Sequence, residues 1–403
     1  MALRVSGVAG QKSAALRTKA AKFSFPRRTG NRFQLLVDGD EFFPVMREAI
    51  AAARSSVLLE LYLFESGRLA DRFITLLGEA AQRGVQVNLL LDDFGSRLLS
   101  RHDRQRLLDS GAELAFYNPL AHNHWRRNLL RNHRKLLIID GARAFTGGAG
   151  ITDLFSAALH PTDYWHELML EIRGPLVADW QTLFSNTWRD VAGQPLDLPP
   201  ANPQPFPDGA SGRVAANGRS FYQADIVRSL FKRVRRARQR IWLATAYFLP
   251  SWKLRRALKR RARAGVDVRL LLPGPHTDHP SVRRLSQRHY GSLLRSGVRI
   301  FEYQPRFLHA KVQLCDNWAS IGSSNLDRWN LRWNLEANQE LIDPVILQQL
   351  ERLFTNDFAH SQEIDYRQWQ KRPWHRRRIE QLWAGVEALV RRLSEPRPPG
   401  PLD

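Results

Sequence analysis

The sequence predicts an α/β protein of two pseudo-symmetric lobes, with mixed, largely parallel sheets, helices on both faces and a single site where the lobes meet. Three observations lead there. Apolar strands alternate with helical stretches, that rhythm is written twice, and a proline-rich stretch separates the two copies. SSVLLELYLF (55–64) reads as a strand buried on both faces, and RFITLLGEAAQRGVQVNLLLDD (72–93) as a helix stopping near Gly84 followed by a second apolar strand, the signature of a βαβ unit. The pattern returns in QRIWLATAYFLP (239–250) and KLRRALKRRARAGVDVRLLLPG (253–274), where ARAGVDVRLLL echoes AQRGVQVNLLL. A third unit closes each copy, DSGAELAFYNP (109–119) and RSGVRIFEYQP (295–305). Self-similarity of this length marks an internal duplication.

The expected organisation follows. Residues 1–32 read as a basic, disordered arm, with an organellar transit peptide as the alternative: the first 37 residues hold eight Arg or Lys and no acid, and Gly and Pro interrupting any long amphipathic helix favour the arm. The first lobe spans 33–190 and the second 213–360. Between them, 191–212 is a linker, and VAGQPLDLPPANPQPFPDG within it carries six prolines. Residues 361–403 hold a basic, Trp-containing helix and a disordered Pro-rich tail.

The chain has 403 residues, 43% of them hydrophobic, enough for a large core, and a formal net charge of +22. That charge attracts anions: nucleic acid, acidic lipid headgroups or phosphate-bearing substrates. The single cysteine, Cys315, excludes an internal disulfide framework and is too little for a zinc site, so it reads as a small buried strand residue. No stretch approaches the roughly 18 to 20 consecutive apolar residues of a membrane-spanning helix.

Each copy ends alike. NHRKLLIIDGARAFTGGAG (132–150) and LHAKVQLCDNWASIGSSN (308–325) share His, Lys two residues later, Asp seven after the His, and then a cluster of small residues. Residues two apart on a strand share a face, so His133 projects with Lys135, and His309 with Lys311. One imidazole and one ammonium from each lobe suit a phosphate: lysines neutralise oxygen charge, imidazoles carry covalent and proton transfer. Asp140 and Asp316 fall at turn positions, and a turn or ion-pair role stands beside direct chemistry for both. The small residues Gly147 and Gly148, or Gly322, Ser323, Ser324 and Asn325, would let backbone N–H groups approach an anion.

These paired HxKxxxxD elements, each followed by a GG or GS cluster, resemble the phospholipase D superfamily. RNHRKLLIIDGARAFTGG, GSSNLD and NLEAN are most similar to the bacterial cardiolipin synthases, in the form without amino-terminal membrane helices. The resemblance runs from about Phe33 to about Phe358. It implies two phospholipase D-like lobes sharing one active site, and transfer through a phosphohistidine without metal or cofactor. By that analogy the catalytic set is His133, Lys135, Asp140, His309, Lys311 and Asp316, with His133 as nucleophile and His309 as acid and base. Lys135, Lys311 and Asn325 would hold phosphate oxygens, with Ser323, Gly147 and Gly148 alongside. Glu167 in YWHELMLEI and Glu336 in WNLEANQEL take the places of the family's carboxylates, expected behind each imidazole to fix its tautomer, although each could be an ordinary surface acid. One departure is plain: Gly150 stands where the family usually has Asn.

The superfamily also contains nucleases, and the charge would suit them. The stretch 369–393 points instead to lipid, placing Trp383, Val386, Val390 and Leu393 near helical spacing among arginines, as at a bilayer interface; a helix packed on the body has the same pattern. Arg126, Arg127 and Arg131 before the first motif could guide a headgroup. Tyr62, Tyr247, Phe248 and Trp329 could line an apolar cleft, although aromatics at strand ends are more often plain core. No aromatic pattern of a single-strand-binding sheet is present. The expectation is a phosphatidyltransferase bound peripherally to the cytoplasmic side of an anionic phospholipid membrane, moving a phosphatidyl group onto phosphatidylglycerol. A hydrolase or nucleic-acid phosphodiesterase is the alternative, and a non-catalytic anion-binding scaffold the next.

Overall fold

In the computed structural model, residues 25–121, 127–218, 225–328 and 330–372 are described. The arm 1–24 and the stretch around Trp383 lie outside them, as do Arg126 and Trp329.

The first lobe runs β1 (Arg28–Val37), α1 (Asp38–Ala51), β2 (Ser56–Leu61), α2 (Arg68–Gln82), β3 (Gln86–Asp92), α3 (Arg101–Asp109), β4 (Glu113–Tyr117), β5 (Lys135–Ile139), β6 (Arg143–Gly147), β7 (Leu168–Arg173) and α4 (Leu176–Ala192). The second repeats it with additions: β8 (Ala210–Asn217), α5 (Asp225–Arg236), β9 (Arg240–Ala244), β10 (Phe248–Leu249), α6 (Trp252–Arg263), β11 (Asp267–Pro273), α7 (Pro280–Gln287), α8 (Tyr290–Leu294), β12 (Arg299–Tyr303), β13 (Val312–Cys315), β14 (Trp318–Gly322), β15 (Leu326–Asp327), α9 (Asn330–Trp333), β16 (Glu336–Ile342), α10 (Pro344–Ala359), β17 (Ser361–Glu363) and α11 (Tyr366–Gln370). β1 starts at Arg28, within the segment expected to be an arm, and β8 starts at Ala210, before the expected end of the linker. Both shifts have one cause: these two strands pair with each other, Arg28 opposite Gly212, and join the lobes into one sheet.

That sheet has 15 strands in the order β17-β12-β11-β9-β13-β14-β16-β8-β1-β7-β6-β5-β2-β3-β4. It is mixed, as expected, but parallel pairing is confined to β2-β3-β4 and β9-β11-β12. The βαβ rhythm that the sequence displays belongs to those strands alone. The motif strands enter as hairpins, β5–β6 and β13–β14, and hairpins are antiparallel.

Each repeat's hairpin turn is made by an aspartate in the left-handed region, Asp140 at φ 52° and Asp316 at φ 48°, a conformation Asp tolerates better than most residues. A single apolar cluster crosses the lobe boundary, with Leu58, Leu136 and Trp180 of the first lobe packed with Trp242, Ile321 and Phe354 of the second. Burying side chains of this size contributes about 1.5–3 kcal/mol each, which holds the lobes as one body. Cys315 is buried in β13, and burial pushes its thiol up.

Candidate active site

Antiparallel pairing of β5 with β2 sets Lys135 opposite Leu61, so the first motif enters at the carboxyl end of β2. The second motif enters likewise beside β9, with Val312 opposite Ala244. Two isolated bridges then stitch motif to motif across the lobes: Asn132 lies against Leu335 and His166 against Leu308. The His133 N–H donates to the Leu335 carbonyl at 2.9 Å, and the His309 N–H to the His166 carbonyl at 2.9 Å. Each imidazole is therefore held by backbone of the opposite repeat.

The carboxylates are exchanged in the same way. Glu167 follows the first motif but its Oε2 lies 2.6 Å from Nδ1 of His309. Glu336 follows the second motif and lies 3.1 Å from Nδ1 of His133. A carboxylate accepts the Nδ1 proton, which leaves Nε2 of both rings as the reactive nitrogen. The sequence placed both acids behind imidazoles; the exchange between lobes is visible only in the fold.

Burial pushes the His133 pKa down, opposed by Glu336. His309 lies well below the ordinary histidine value, through burial first and then Lys311. Burial brings Lys135 down to about 7, and lowers Lys311 while Glu167 opposes it. Each lysine's Nζ donates to the carbonyl of its own motif's histidine, Lys135 to His133 at 2.6 Å and Lys311 to His309. Lys311 also pairs with Glu167 at 3.2 Å.

Asn325 is fully buried. Its Oδ1 accepts from Thr245 Oγ1 at 3.2 Å and from the Tyr247 N–H at 3.3 Å, while Nδ2 has no protein partner. A buried amide donor without a protein partner costs about 1–3 kcal/mol, which leaves Nδ2 available to a ligand oxygen. Ser323 Oγ donates to Glu336 rather than standing free.

Three expectations need correcting. Asp140 and Asp316 take the turn role that stood beside direct chemistry. Asp140 accepts from the backbone N–H groups of Arg54, Ser55 and Ser56 at 3.0, 2.7 and 2.9 Å, and Asp316 from those of Arg238, Gln239 and Arg240 at 2.8, 3.0 and 3.0 Å. They sit at the turn end of each hairpin and clamp the start of β2 or β9, because a left-handed turn aims the short carboxylate at neighbouring amides. The Gly148 N–H is not free for an anion, since it donates to the Leu168 carbonyl at 3.3 Å, and Gly147 lies inside the β6–β7 ladder opposite Met169. Gly148 is required for another reason, since a Cβ there would stand 2.0 Å from Glu167 Oε2. Phe248 belongs to β10 and is buried core rather than a cleft wall.

At Gly150 a Cβ would meet the Leu63 carbonyl oxygen at 2.5 Å. The departure at this position is thus built into the backbone packing, and the buried amide nitrogen without a protein partner, Asn325 Nδ2, belongs to the second lobe.

Several residues escaped the sequence reading. His309 is walled by Trp165, Phe155 and Phe307, at ring separations of 4.9, 5.6 and 5.6 Å, whereas His133 is covered at 4.8 Å by Tyr62, which the sequence did single out. Behind Glu167, the buried imidazole of His166 lies 2.7 Å from Asp38 and 3.2 Å from Asp357. Burial pushes His166 down, yet its bonds to Asp357 and Asp38 outweigh that and raise it to about 10. Asp38 also takes the Glu167 N–H at 3.0 Å, so the His166 cluster fixes the backbone that carries Glu167.

A family profile described as "Cardiolipin synthase, PLD-like domain" matches residues 46–188 and 230–358, one match per lobe. The chain belongs to the cardiolipin synthase family of phospholipase D-like proteins. It is 34% identical to cardiolipin synthase A of Pseudomonas aeruginosa over 397 residues, covering 96% of this chain and 78% of the relative. Cardiolipin synthase A of Pseudomonas fluorescens strain SBW25 is 32% identical over 382 residues, 94% of this chain and 78% of that one. The crystal structure of phosphatidylserine synthase from Haemophilus influenzae Rd KW20 has the same fold, with a TM-score of 0.69 at 16% identity over 91% of this chain and 95% of its own. Within this cardiolipin synthase-like frame no helix among the described residues is long and apolar enough to cross a membrane.

Proposed function

We propose that this chain is a phosphatidyltransferase that moves a phosphatidyl group from a donor phospholipid to a hydroxyl of phosphatidylglycerol, forming cardiolipin and releasing an alcohol. The observation that supports this reading is the exchanged pair of carboxylate–imidazole contacts, Glu167 to His309 and Glu336 to His133, by which each repeat orients the histidine of the other. Cardiolipin synthase relatives matched over nearly the whole chain supply the substrate class.

In this mechanism His133 Nε2 attacks the donor phosphorus. The bond from phosphorus to the leaving alcohol's oxygen breaks, and His309 gives its Nε2 proton to that oxygen. The phosphatidyl group rests on His133 as a phosphohistidine. The acceptor hydroxyl then yields its proton to His309 while its oxygen attacks phosphorus, breaking the P–N bond and freeing His133. Lys135, Lys311 and Asn325 Nδ2 hold the non-bridging oxygens and stabilise the charge that gathers there. Burial disfavours the charged form of both imidazoles in the empty site, as a nucleophile requires. The arriving phosphodiester anion, with Glu167 behind His309, favours the imidazolium needed for the acid.

Transfer rather than hydrolysis needs an acceptor alcohol to outcompete water. The aromatic wall of Trp165, Phe155 and Phe307 around His309 favours this by drying the acid–base side of the pocket. The membrane association follows from the substrates, and the cytoplasmic leaflet, rich in anionic lipid, suits a net charge of +22.

The test incubates purified protein with labelled phosphatidylglycerol and, separately, with single-stranded DNA, and resolves the products by chromatography. Cardiolipin that disappears in both His133→Ala and His309→Ala supports the assignment. DNA cleavage without lipid turnover replaces it with a nuclease.

A further inference from the structure

Five of the exposed large apolar side chains, Phe94, Leu98, Leu120, Leu129 and Trp252, lie on segments that follow strand ends or lead into a motif on the site's side of the sheet. Phe94 and Leu98 follow β3, Leu120 follows β4, Leu129 precedes the first motif, and Trp252 follows β10. The first four belong to one knitted ledge. The Leu120 N–H donates to Asp93 at 3.2 Å, and Ala121 exchanges bonds with the Asn128 side chain at 3.0 and 2.9 Å. Arg131 fastens the ledge to the site, donating to the Asn118 carbonyl at 2.9 Å with Asp92 at 3.4 Å, one residue before the Asn132–His133 segment. Trp252 stands on the second lobe's side, on the helix that follows Tyr247, whose N–H holds Asn325.

Leu98 is 58% exposed and Trp252 59% exposed, and what distinguishes them from singly scattered apolar residues is the company of Phe94, Leu120 and Leu129 at the same strand ends. Their polar neighbours are cations. Arg97 stacks over Phe94 at 4.9 Å and is exposed, as are Arg101, Lys253 and Arg256. The acids nearby are engaged: Asp93 by the Leu120 N–H, Asp103 by Ser66, Ser100 and Arg106, and Asp278 by the Tyr247 hydroxyl. Apolar tips flanked by long basic side chains match the boundary of an anionic bilayer, where tips enter the acyl edge and cations meet phosphates.

We propose that Phe94, Leu98, Leu120, Leu129 and Trp252 are the docking surface for a bilayer of anionic phospholipid, seating the mouth of the site against the headgroups. This deepens the lipid-transfer reading above and rests on it for the direction in which substrate arrives. The surface includes no residue of the stretch 369–393, of which 373–393 lie outside the described residues.

The experiment floats the full chain with vesicles of equimolar phosphatidylglycerol and phosphatidylcholine, comparing wild type with Leu98→Asp/Trp252→Glu and with Leu108→Asp/Val345→Asp, two exposed apolar sites away from the ledge. Turnover is read on the same vesicles and on monomeric short-chain phosphatidylglycerol. The expected result is a ten-fold or greater loss of flotation, and of the vesicle-to-monomer turnover ratio, in the ledge variant alone. Unchanged flotation, or an equal loss in the control variant, overturns the proposal. So does a lipid-free dimer in sedimentation velocity that the ledge variant dissolves while still binding vesicles, since the patch then belongs to a second copy. Ledge-dependent flotation with no lipid product upholds the docking surface and overturns the transferase reading.

Discussion

Glu167 Oε2 stands 2.6 Å from Nδ1 of His309, although the two residues belong to different repeats. The duplication is therefore not two sites side by side, because neither repeat completes its own histidine. Glu167→Gln keeps the shape of the side chain but cannot stabilise an imidazolium. A positioned acid–base group contributes roughly 10²- to 10⁴-fold, and kcat is expected to fall about 10²-fold or more in Glu167→Gln, with Glu336→Gln acting through His133. Steady-state lipid turnover checks it, with circular dichroism confirming the fold. A loss confined to KM would show that the acids serve binding instead.

Gly148 tests the same contact from behind. A methyl group there would stand 2.0 Å from Glu167 Oε2, and the buried carboxylate has no open space to retreat into. Gly148→Ala is expected to lower activity as much as Glu167→Gln, with overpacking costing about 1–3 kcal/mol of stability. Activity together with a thermal melt measures both effects.

Asp140 is the counter-case. Its carboxylate serves the amides of Arg54, Ser55 and Ser56, and those bonds, outweighing burial, hold its pKa below the usual carboxylate range. Asp140→Asn should destabilise by about 1–3 kcal/mol, the cost of losing charge-assisted bonds, while kcat stays within a few-fold. Denaturant unfolding and lipid turnover on one preparation separate the two. A collapse of kcat in a fully folded variant would return Asp140 to the chemistry.

The duplication, the two His-Lys pairs and the linker's prolines were legible because each is a local pattern: a repeat, a strand period, a run of residues that cannot pair. The partnership of each histidine was not, because Glu167 and His309 meet only through the bridge of His166 to Leu308, a contact set by lobe packing. The glycines misled for a related reason. A GG pair after a strand looks like an anion nest, but the neighbour that demands Gly148 is a side chain from the next strand. His166 stands in plain view in YWHELMLEI, and only the approach of Asp38 from α1 and Asp357 from α10 makes it more than a core histidine.

That histidine predicts a pH response. His166 is raised to about 10 in the folded chain, against an unfolded value near 6.5, so the native state holds a proton there that the unfolded chain releases. Its stabilisation is complete below pH ~6.5 and declines towards pH ~10, at most by about 1.4 kcal/mol per pH unit. Lys135, brought down to about 7, runs the other way, because its unfolded form holds the extra proton above pH 7. The measurement is therefore the difference between the melting curves of wild type and His166→Gln, which should shrink from pH 7 to 10. A difference that does not change with pH would remove the imidazolium from the lobe junction.

Lys135 also sets the alkaline limit of activity. Lys311 keeps a carboxylate partner in Glu167 at 3.2 Å, while Lys135 donates to the His133 carbonyl and lies over the Tyr62 ring at 5.2 Å, contacts that do less to hold a charge against burial. With a pKa of about 7 in the free protein, Lys135 loses its proton in the range where His133, its own pKa lowered by burial, is an unprotonated nucleophile. kcat/KM for a phosphodiester anion is then expected to fall about ten-fold per pH unit above 7. The limb should be weaker in kcat, because the bound anion restores the ammonium. Lys135→Arg carries a guanidinium that stays charged throughout this range. Its activity is expected to be lower, since the planar fork does not fit the ammonium's place, but its alkaline limb should be flat. An identical limb in Lys135→Arg would assign the titration to another group, with Lys311 next to be tested.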